Sequence, residues 1–259
     1  MIVGIWGNDK SGKTSLALTF PKPLTHFEFD LGGFDRAKWR FANDMGGITR
    51  KTYIMPFQVQ MDGVSFKQSK MVVGMRELYY QFLSDYIGFI NDPKQGSGVI
   101  DTATLLWEIT YLAYLQEKQE NQLDTNGNLL PGEGRLRERL LPIEYKEPNI
   151  RMRGILYQAK AAGKNLILTH HSRDVYKGMI NSKTGAVEEV KTGDKERSGF
   201  NSLGDSTDLM LHTYLNSSGF NCKVCEESAP RALVGISLEV PTYQMLVELM
   251  ESMQAGVSG

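Results

Sequence analysis

A chain of 259 residues, 41% of them hydrophobic, is long enough to bury a sizeable core as one large domain or two small ones. Its 29 basic and 30 acidic side chains leave a net charge of −1, so no global field announces a nucleic-acid or membrane partner and any such contact must use a local patch. Two cysteines exclude a disulfide framework, no window of about 18 apolar residues is present, and the opening apolar run lacks the length of a signal peptide; a soluble, cytoplasmic protein with no membrane partner is expected.

In chain order, Ile2–Trp6 is a compact apolar run of strand type. It leads into Gly7-Asn8-Asp9-Lys10-Ser11-Gly12-Lys13-Thr14 and then Ser15–Phe20, a helical pattern that Pro21 and Pro23 end. The middle segment fits G-x-x-x-x-G-K-[ST] at every fixed position. Its glycines let the backbone curl so that successive N–H groups point at phosphate oxygens, and the following helix turns its positive end to the same anion. Lys13 brings a charge to the β/γ-phosphates, and the Thr14 hydroxyl is a hard ligand for Mg²⁺. Gly7, Asn8, Asp9, Lys10, Ser11, Gly12, Lys13, Thr14 and Ser15 are therefore expected to hold a nucleoside triphosphate, ATP with Mg²⁺. The bland alternative, a chance glycine turn, does not explain the strand before and the helix after. Lys10 either touches phosphate or stays solvated, and Trp6 reads as packing.

Further along, His26–Leu31 is a second strand, closed by Gly32-Gly33, and Lys51–Phe57 a third. A helix spans Gly74–Ile90 and stops at Asn91-Asp92-Pro93. Gly98–Asp101 is the next strand and Thr102–Asn121 a long helix. A turn-rich loop at Asp124–Pro131 precedes a charged arm, Gly134–Arg139; Arg151–Ala162 is helical and Asn165–Thr169 is a buried-type strand. From Val175 to Glu239 short alternating runs suggest hairpins, and Pro241 opens a last helix with Met245, Leu246, Leu249 and Met250 on its apolar face. This alternation predicts an α/β fold: a mostly parallel sheet with helices on both faces and an antiparallel, β-rich C-terminal part. A single domain is expected, with a core over 1–175, a hairpin extension over 176–240, and a helix and tail over 241–259.

A phosphate loop needs an acidic partner for the metal, an Asp ending a buried strand beside the loop's own strand, and Asp101 is the candidate; it also suits the N-cap of the helix that follows. Glu28 and Asp30 are placed on one face of the second strand, where either can orient an attacking water or simply end a solvated strand. The strand Leu166–Thr169 delivers His170 to the sheet edge where ligands lie in such folds, so His170 can sense the γ-phosphate. Neighbouring His171 points the other way, and zinc has too few ligands there. Cys222-x-x-Cys225 falls in a hairpin-like stretch and reads as packing.

Three stretches taken together, Gly7–Phe20 ending at Pro21, Val99–Glu108 and Ala161–Tyr176, resemble the phage-encoded RecA-like P-loop ATPases, in particular the short, core-only kind associated with single-strand annealing proteins. The resemblance spans Met1 to about Tyr214 loosely and is specific at those three stretches. It implies a RecA-like core, ATP hydrolysis, single-stranded DNA binding, and work in phage recombination or replication in the cytoplasm of a bacterial host. Lys13 and Thr14 would take the nucleotide, Asp101 the metal, and His170 the sensor position. One departure stands out. Such enzymes place a catalytic Glu just past the second core strand, where this chain has Gly32, so Asp30 or Glu28 acts from a shifted position or hydrolysis is slow.

The resemblance also implies two DNA-contacting loops. Those regions hold Arg135, Arg137, Arg139, Arg151 and Arg153, then Arg173, Lys177, Lys191, Lys195 and Arg197, with Tyr176 and Phe200 available for stacking. Arg135–Arg139 reads equally as an ordinary exposed helix. In a homo-oligomer, Lys195 or Arg197 can reach a neighbouring subunit's γ-phosphate, and a single-strand binding or annealing protein is a further expected partner. Two other classes stay open: a small-molecule kinase with Arg135–Arg153 as a lid, and a nucleotide-dependent switch or scaffold with little turnover.

Overall fold

In the computed structural model, which describes residues 1–38, 46–57, 59–62, 65–180, 187–228 and 230–257, the N-terminal apolar run is strand β1 (Ile2–Gly7). After it come α1 (Lys13–Ala17), β2 (Leu24–Glu28), α2 (Gly33–Lys38), β3 (Ile48–Thr52) and a small hairpin of β4 (Val59–Asp62) and β5 (Ser65–Gln68). The middle of the chain forms α3 (Met75–Asn91), β6 (Ser97–Asp101), α4 (Ala103–Glu120) and α5 (Lys146–Ala161). The rest supplies β7 (Asn165–Ile180), β8 (Val187–Arg197), β9 (Leu209–Asn216), β10 (Gly219–Val224), β11 (Ser237–Glu239) and α6 (Tyr243–Val257).

The main sheet runs β11-β10-β9-β1-β7-β6-β2-β3, with β8 paired to β7. Strands β9, β1, β7, β6, β2 and β3 are parallel, and β10 and β11 add antiparallel edges. The fold is thus the expected α/β type, mostly parallel with an antiparallel C-terminal part. Its strands read as continuous apolar runs because both faces are covered. Alternation sorts their side chains. Ile2 of β1, Leu166 and Leu168 of β7, Ile100 of β6 and Phe27 of β2 join the core beneath α3, α4 and α5. Val3, Ile5, Ile167 and Val99 join the second core, with Leu16, Phe20 and, from α6, Leu246. Among the described residues no helix is long and apolar enough to cross a membrane.

Several local expectations need correction. The Asp101 strand is not beside the phosphate-loop strand, since β7 lies between β1 and β6. The third strand sits earlier than Lys51–Phe57, because the pairing edge is the polar Ile48–Thr52, while Tyr53 turns inward and is 1% exposed. Strand β2 stops at Glu28: the N–H groups of Phe29 and Asp30 both donate to the Asp101 carbonyl, at 2.6 and 3.1 Å, and the chain bends away from the ladder. Glu28 and Asp30 therefore do not share a strand face. Arg135–Arg139 is not helical, and Gln122 anchors it through the Arg137 N–H at 2.9 Å. The buried-type strand continues past Thr169 to Ile180 and forms a long antiparallel arm with β8.

The first core rests on aromatic packing. Phe82, fully buried on α3, meets Phe27 edge-on at 5.6 Å and Phe29 at 5.4 Å. Phe82→Ala should lower the unfolding free energy by about 3–5 kcal/mol, read as a shifted midpoint with unchanged slope in urea denaturation.

Candidate functional site

Two side chains from distant parts of the chain meet at the C-terminal edge of the sheet. The Thr14 hydroxyl donates to Asp101 Oδ2 at 2.8 Å. Asp101 is 2% exposed, and its other contacts satisfy it fully: His26 Nε2 lies 3.2 Å from Oδ2, and Thr169 donates to Oδ1. Thr169 stands on the intervening strand β7, so its small hydroxyl lets the carboxylate reach across to α1. Burial alone would raise the Asp101 carboxyl. The hydrogen bond and charge of His26, with the hydroxyls of Thr169 and Thr14, outweigh it and hold the group below the usual carboxylate range. Since a carboxylate accepts, His26 carries its proton on Nε2. Helix α4 is capped by Thr102, whose hydroxyl accepts from the Leu105 N–H at 3.3 Å; the cap alternative for Asp101 is set aside.

The loop between β1 and α1 closes one wall of a cleft of about 700 Å³, a size suited to a small ligand. Asp9, Lys10, Ser11, Gly12, Lys13, Thr14 and Ser15 line it, while Gly7 and Asn8 do not and instead hold Lys13 through carbonyls that accept from its Nζ at 3.0 and 2.7 Å. Burial draws the Lys13 ammonium below its ordinary value, against the raising charges of Asp9, Asp101 and Asp30. Gly12 is in the left-handed region at φ 91°, and a Cβ there would lie 2.7 Å from the Phe220 ring, which completes the wall from β10. Gly33 is required for a different reason: a Cβ would stand 3.0 Å from Asp101 Oδ2 and 3.4 Å from Thr14 Oγ1. A hydroxyl and a carboxylate converging on one point are hard oxygen donors of the kind Mg²⁺ takes, with phosphate and water completing its shell. They are the residues that fit the ion.

The remaining candidates separate. Asp30 lines the cleft, its Oδ2 3.5 Å from His171 Nε2. Glu28 does not; fully buried, it accepts from Arg50 Nε at 2.7 Å and the Phe34 N–H at 3.2 Å. His170 is also fully buried. Its Nδ1 faces the Ser198 carbonyl at 3.2 Å, and burial pushes its pKa far down, so the ring is neutral. Alternation along β7 delivers His171 to the cleft in its place, followed by Ser172, which donates to Asn8 Oδ1 at 2.9 Å. Arg197 is held by the carbonyls of Phe200 and Asn201, at 2.7 and 3.3 Å, while Lys195 is exposed on the arm, 3.6 Å from Asp174.

Away from the cleft, Arg137 pairs with Glu144, Arg151 with Glu117 at 2.8 Å, and Arg153 with the Asn149 carbonyl at 3.4 Å. Arg135 and Arg139 are exposed nearby, and none of these arginines lines the cleft, as a kinase lid would. Arg173 pairs with Glu196 at 2.8 Å, and Lys177 is exposed. The two thiols are raised by burial, Cys222 to about 12 and Cys225 to about 11, which suits packing and not metal or redox chemistry.

Sequence reasoning passed over His26, Thr169, Gly33, Phe220 and His171 as site residues. The signals were slight: a histidine inside an apolar strand, a second glycine after the turn, and the parity of His171 against His170.

No protein-family model matches the chain, and no curated protein does. Among solved structures it is similar to the RadB recombinase, at 13% identity and a TM-score of 0.45, over 91% of this chain and 84% of that one. It is similar also to a KaiC-like protein from the archaeon Pyrococcus horikoshii OT3, at 10% identity and a TM-score of 0.44, over 91% of this chain and 82% of that one. Likenesses this loose transfer no residue roles, and the site stands on its own geometry.

Gly33→Ala should crowd the Asp101–Thr14 pair without unfolding the chain. Mg²⁺-dependent nucleotide binding, measured by titration calorimetry, is expected to weaken by about tenfold, as for outer-shell changes at other metal sites, while the melting temperature moves little.

Proposed function

We propose that this protein is a RecA-like P-loop ATPase that takes Mg-ATP in the cleft at Gly7–Ser15, binds single-stranded DNA, and supports phage DNA recombination, annealing or replication. The observation that carries the reading is the 2.8 Å contact between Thr14 and Asp101, 87 residues apart, at the mouth of a loop whose lysine folds inward. When bound, the ion neutralises charge on the β- and γ-phosphates. Lys13 adds a second cation, the loop's backbone N–H groups cradle the phosphates, and Asp30, the carboxylate that lines the cleft, is the group placed to orient a water.

The DNA part of the proposal rests on the β7–β8 arm. Its root touches the nucleotide site twice, through Ser172 on Asn8 and His171 beside Asp30. Further out it carries Arg173, Lys177, Lys191 and Lys195; Arg173 pairs with Glu196 and Lys191 with Asp174, both at 2.8 Å, so Lys177 and the 55% exposed Tyr176 are the side chains best suited to a phosphate and a base. Arg135, Arg137 and Arg139 form a second basic stretch. In a homo-oligomer the exposed Lys195 is the side chain that can reach a neighbouring active site, since Arg197 is held by two backbone carbonyls. A single-strand binding or annealing protein is the proposed further partner.

Phosphate release in Mg²⁺, with and without single-stranded DNA, tests the proposal. Activity should rise several-fold with single-stranded DNA at low salt and lose that rise as salt increases, and Lys13→Ala should abolish it throughout. Equal rates with single-stranded DNA, duplex DNA and none would remove the DNA role while leaving the ATPase.

A further inference from the structure

The cleft holds one more cation, without a role in the reading above. Arg36 of α2 lines it together with Lys13, Thr14, Asp30 and Asp101. Gly33, three residues earlier, is the point at which α2 nearly touches Asp101 Oδ2 and Thr14 Oγ1. Positions three apart share a helix face, so Arg36 extends the face that α2 turns to the metal-holding end of the cleft. Its side chain folds back over Gly32, where a Cβ would lie 2.9 Å from Nη1 and 3.9 Å from Cζ. Any side chain at position 32 would compete with the guanidinium for that space.

Two neighbouring cations, Arg50 and Lys38, are already engaged. Arg50 is bound by Glu28 at 2.5 Å and by Asp35 at 3.2 Å, and Lys38 by Asp35 at 2.9 Å. The Arg36 guanidinium makes no ion pair or side-chain hydrogen bond among the described residues. A planar fork with no carboxylate, lining a phosphate cleft, is matched in shape and charge to phosphate oxygens.

We propose that Arg36 is a cation that the chain supplies in cis to the terminal phosphate of its own bound triphosphate, in the space left open by Gly32. The inference rests on the cleft being the Mg-ATP site proposed above. Asp101 and Thr14 would hold the ion that neutralises the terminal phosphates, so a cation at their end of the cleft would add charge where ATP has a phosphate and ADP has none. Arg36 then sets the preference for triphosphate over diphosphate, with no contribution needed from a neighbouring subunit.

The test compares affinity for a non-hydrolysable Mg-ATP analogue and for Mg-ADP, by fluorescence titration, in the wild type, Arg36→Ala and Arg36→Lys. Arg36→Ala should weaken the triphosphate by about tenfold and the diphosphate by less than about twofold, with Arg36→Lys between, since lysine keeps the charge and loses the fork. Equal loss for both nucleotides, or no loss for either, would overturn the proposal. Mixing Lys13→Ala chains with Arg36→Ala chains should leave triphosphate binding as weak as in Arg36→Ala alone; recovery in the mixture would place the guanidinium in trans and overturn it as well. A wild-type chain that binds neither nucleotide defeats the reading of the cleft itself, whereas a normal wild type with an unchanged nucleotide ratio in Arg36→Ala defeats Arg36 alone.

Discussion

A carboxylate taken out of water must be compensated on every side, or the fold expels it or protonates it. Asp101 is such a group, and the placement of four elements follows from its needs. His26 comes from β2 on one side, Thr169 from β7 on the other, and Thr14 from α1 across the sheet edge. Gly33 opens α2 where a side chain would press on the same oxygen. Two of the three partners are neutral hydroxyls, and one of them, Thr14, stands at the cleft with the Asp101 carboxylate behind it.

The sheet order explains why hydroxyls serve here. With β7 inserted between β1 and β6, the Asp101 carboxylate has to pass the end of a neighbouring strand to reach the phosphate loop. A large residue at position 169 would block that path, and an apolar one would leave Oδ1 unpaired at a buried site. Threonine is small enough and also donates. The parallel register that pairs Ile5 with Thr169 and, one strand further, Leu168 with Ile100, the residue before Asp101, is therefore as much a part of the site as the loop motif.

What was legible beforehand follows the range of the signal. The phosphate loop is local, its residue types are dictated by backbone geometry, and its flanking strand and helix obey simple periodicities. The parallel sheet was legible for a similar reason, because strands covered on both faces are apolar throughout. Strand order was not, since nothing in Ser97–Asp101 records which neighbour it takes. The pairing of Glu28 with Arg50 was hidden too, being a contact between two strands that are adjacent only after folding. His170 and His171 differ by one residue in register, and a strand reverses its faces on such a step. Hairpins were expected from Val175 on; what escaped was that one strand runs unbroken from Asn165 into that exposed arm, because the change from apolar to alternating charged residues reads as a strand end.

Glu28 and Asp30 show how burial divides similar side chains between structure and chemistry. Glu28 is fully enclosed and its oxygens are committed to Arg50 and the Phe34 N–H, so moving it would strand a guanidinium as well as a carboxylate. Such a group holds β2 and β3 together and does not exchange partners with a ligand. Asp30 stands two residues later, beyond the bend forced by the Asp101 carbonyl, with its side chain 43% exposed. A water oriented by a carboxylate that open to solvent feels a weak, screened field. On the proposed reading, turnover then depends on whatever excludes solvent from that corner, and the elements bordering it are His171 and Ser172 at the root of the arm. On the same proposed reading, a ligand that covers that corner would strengthen the field at Asp30 without adding a catalytic group.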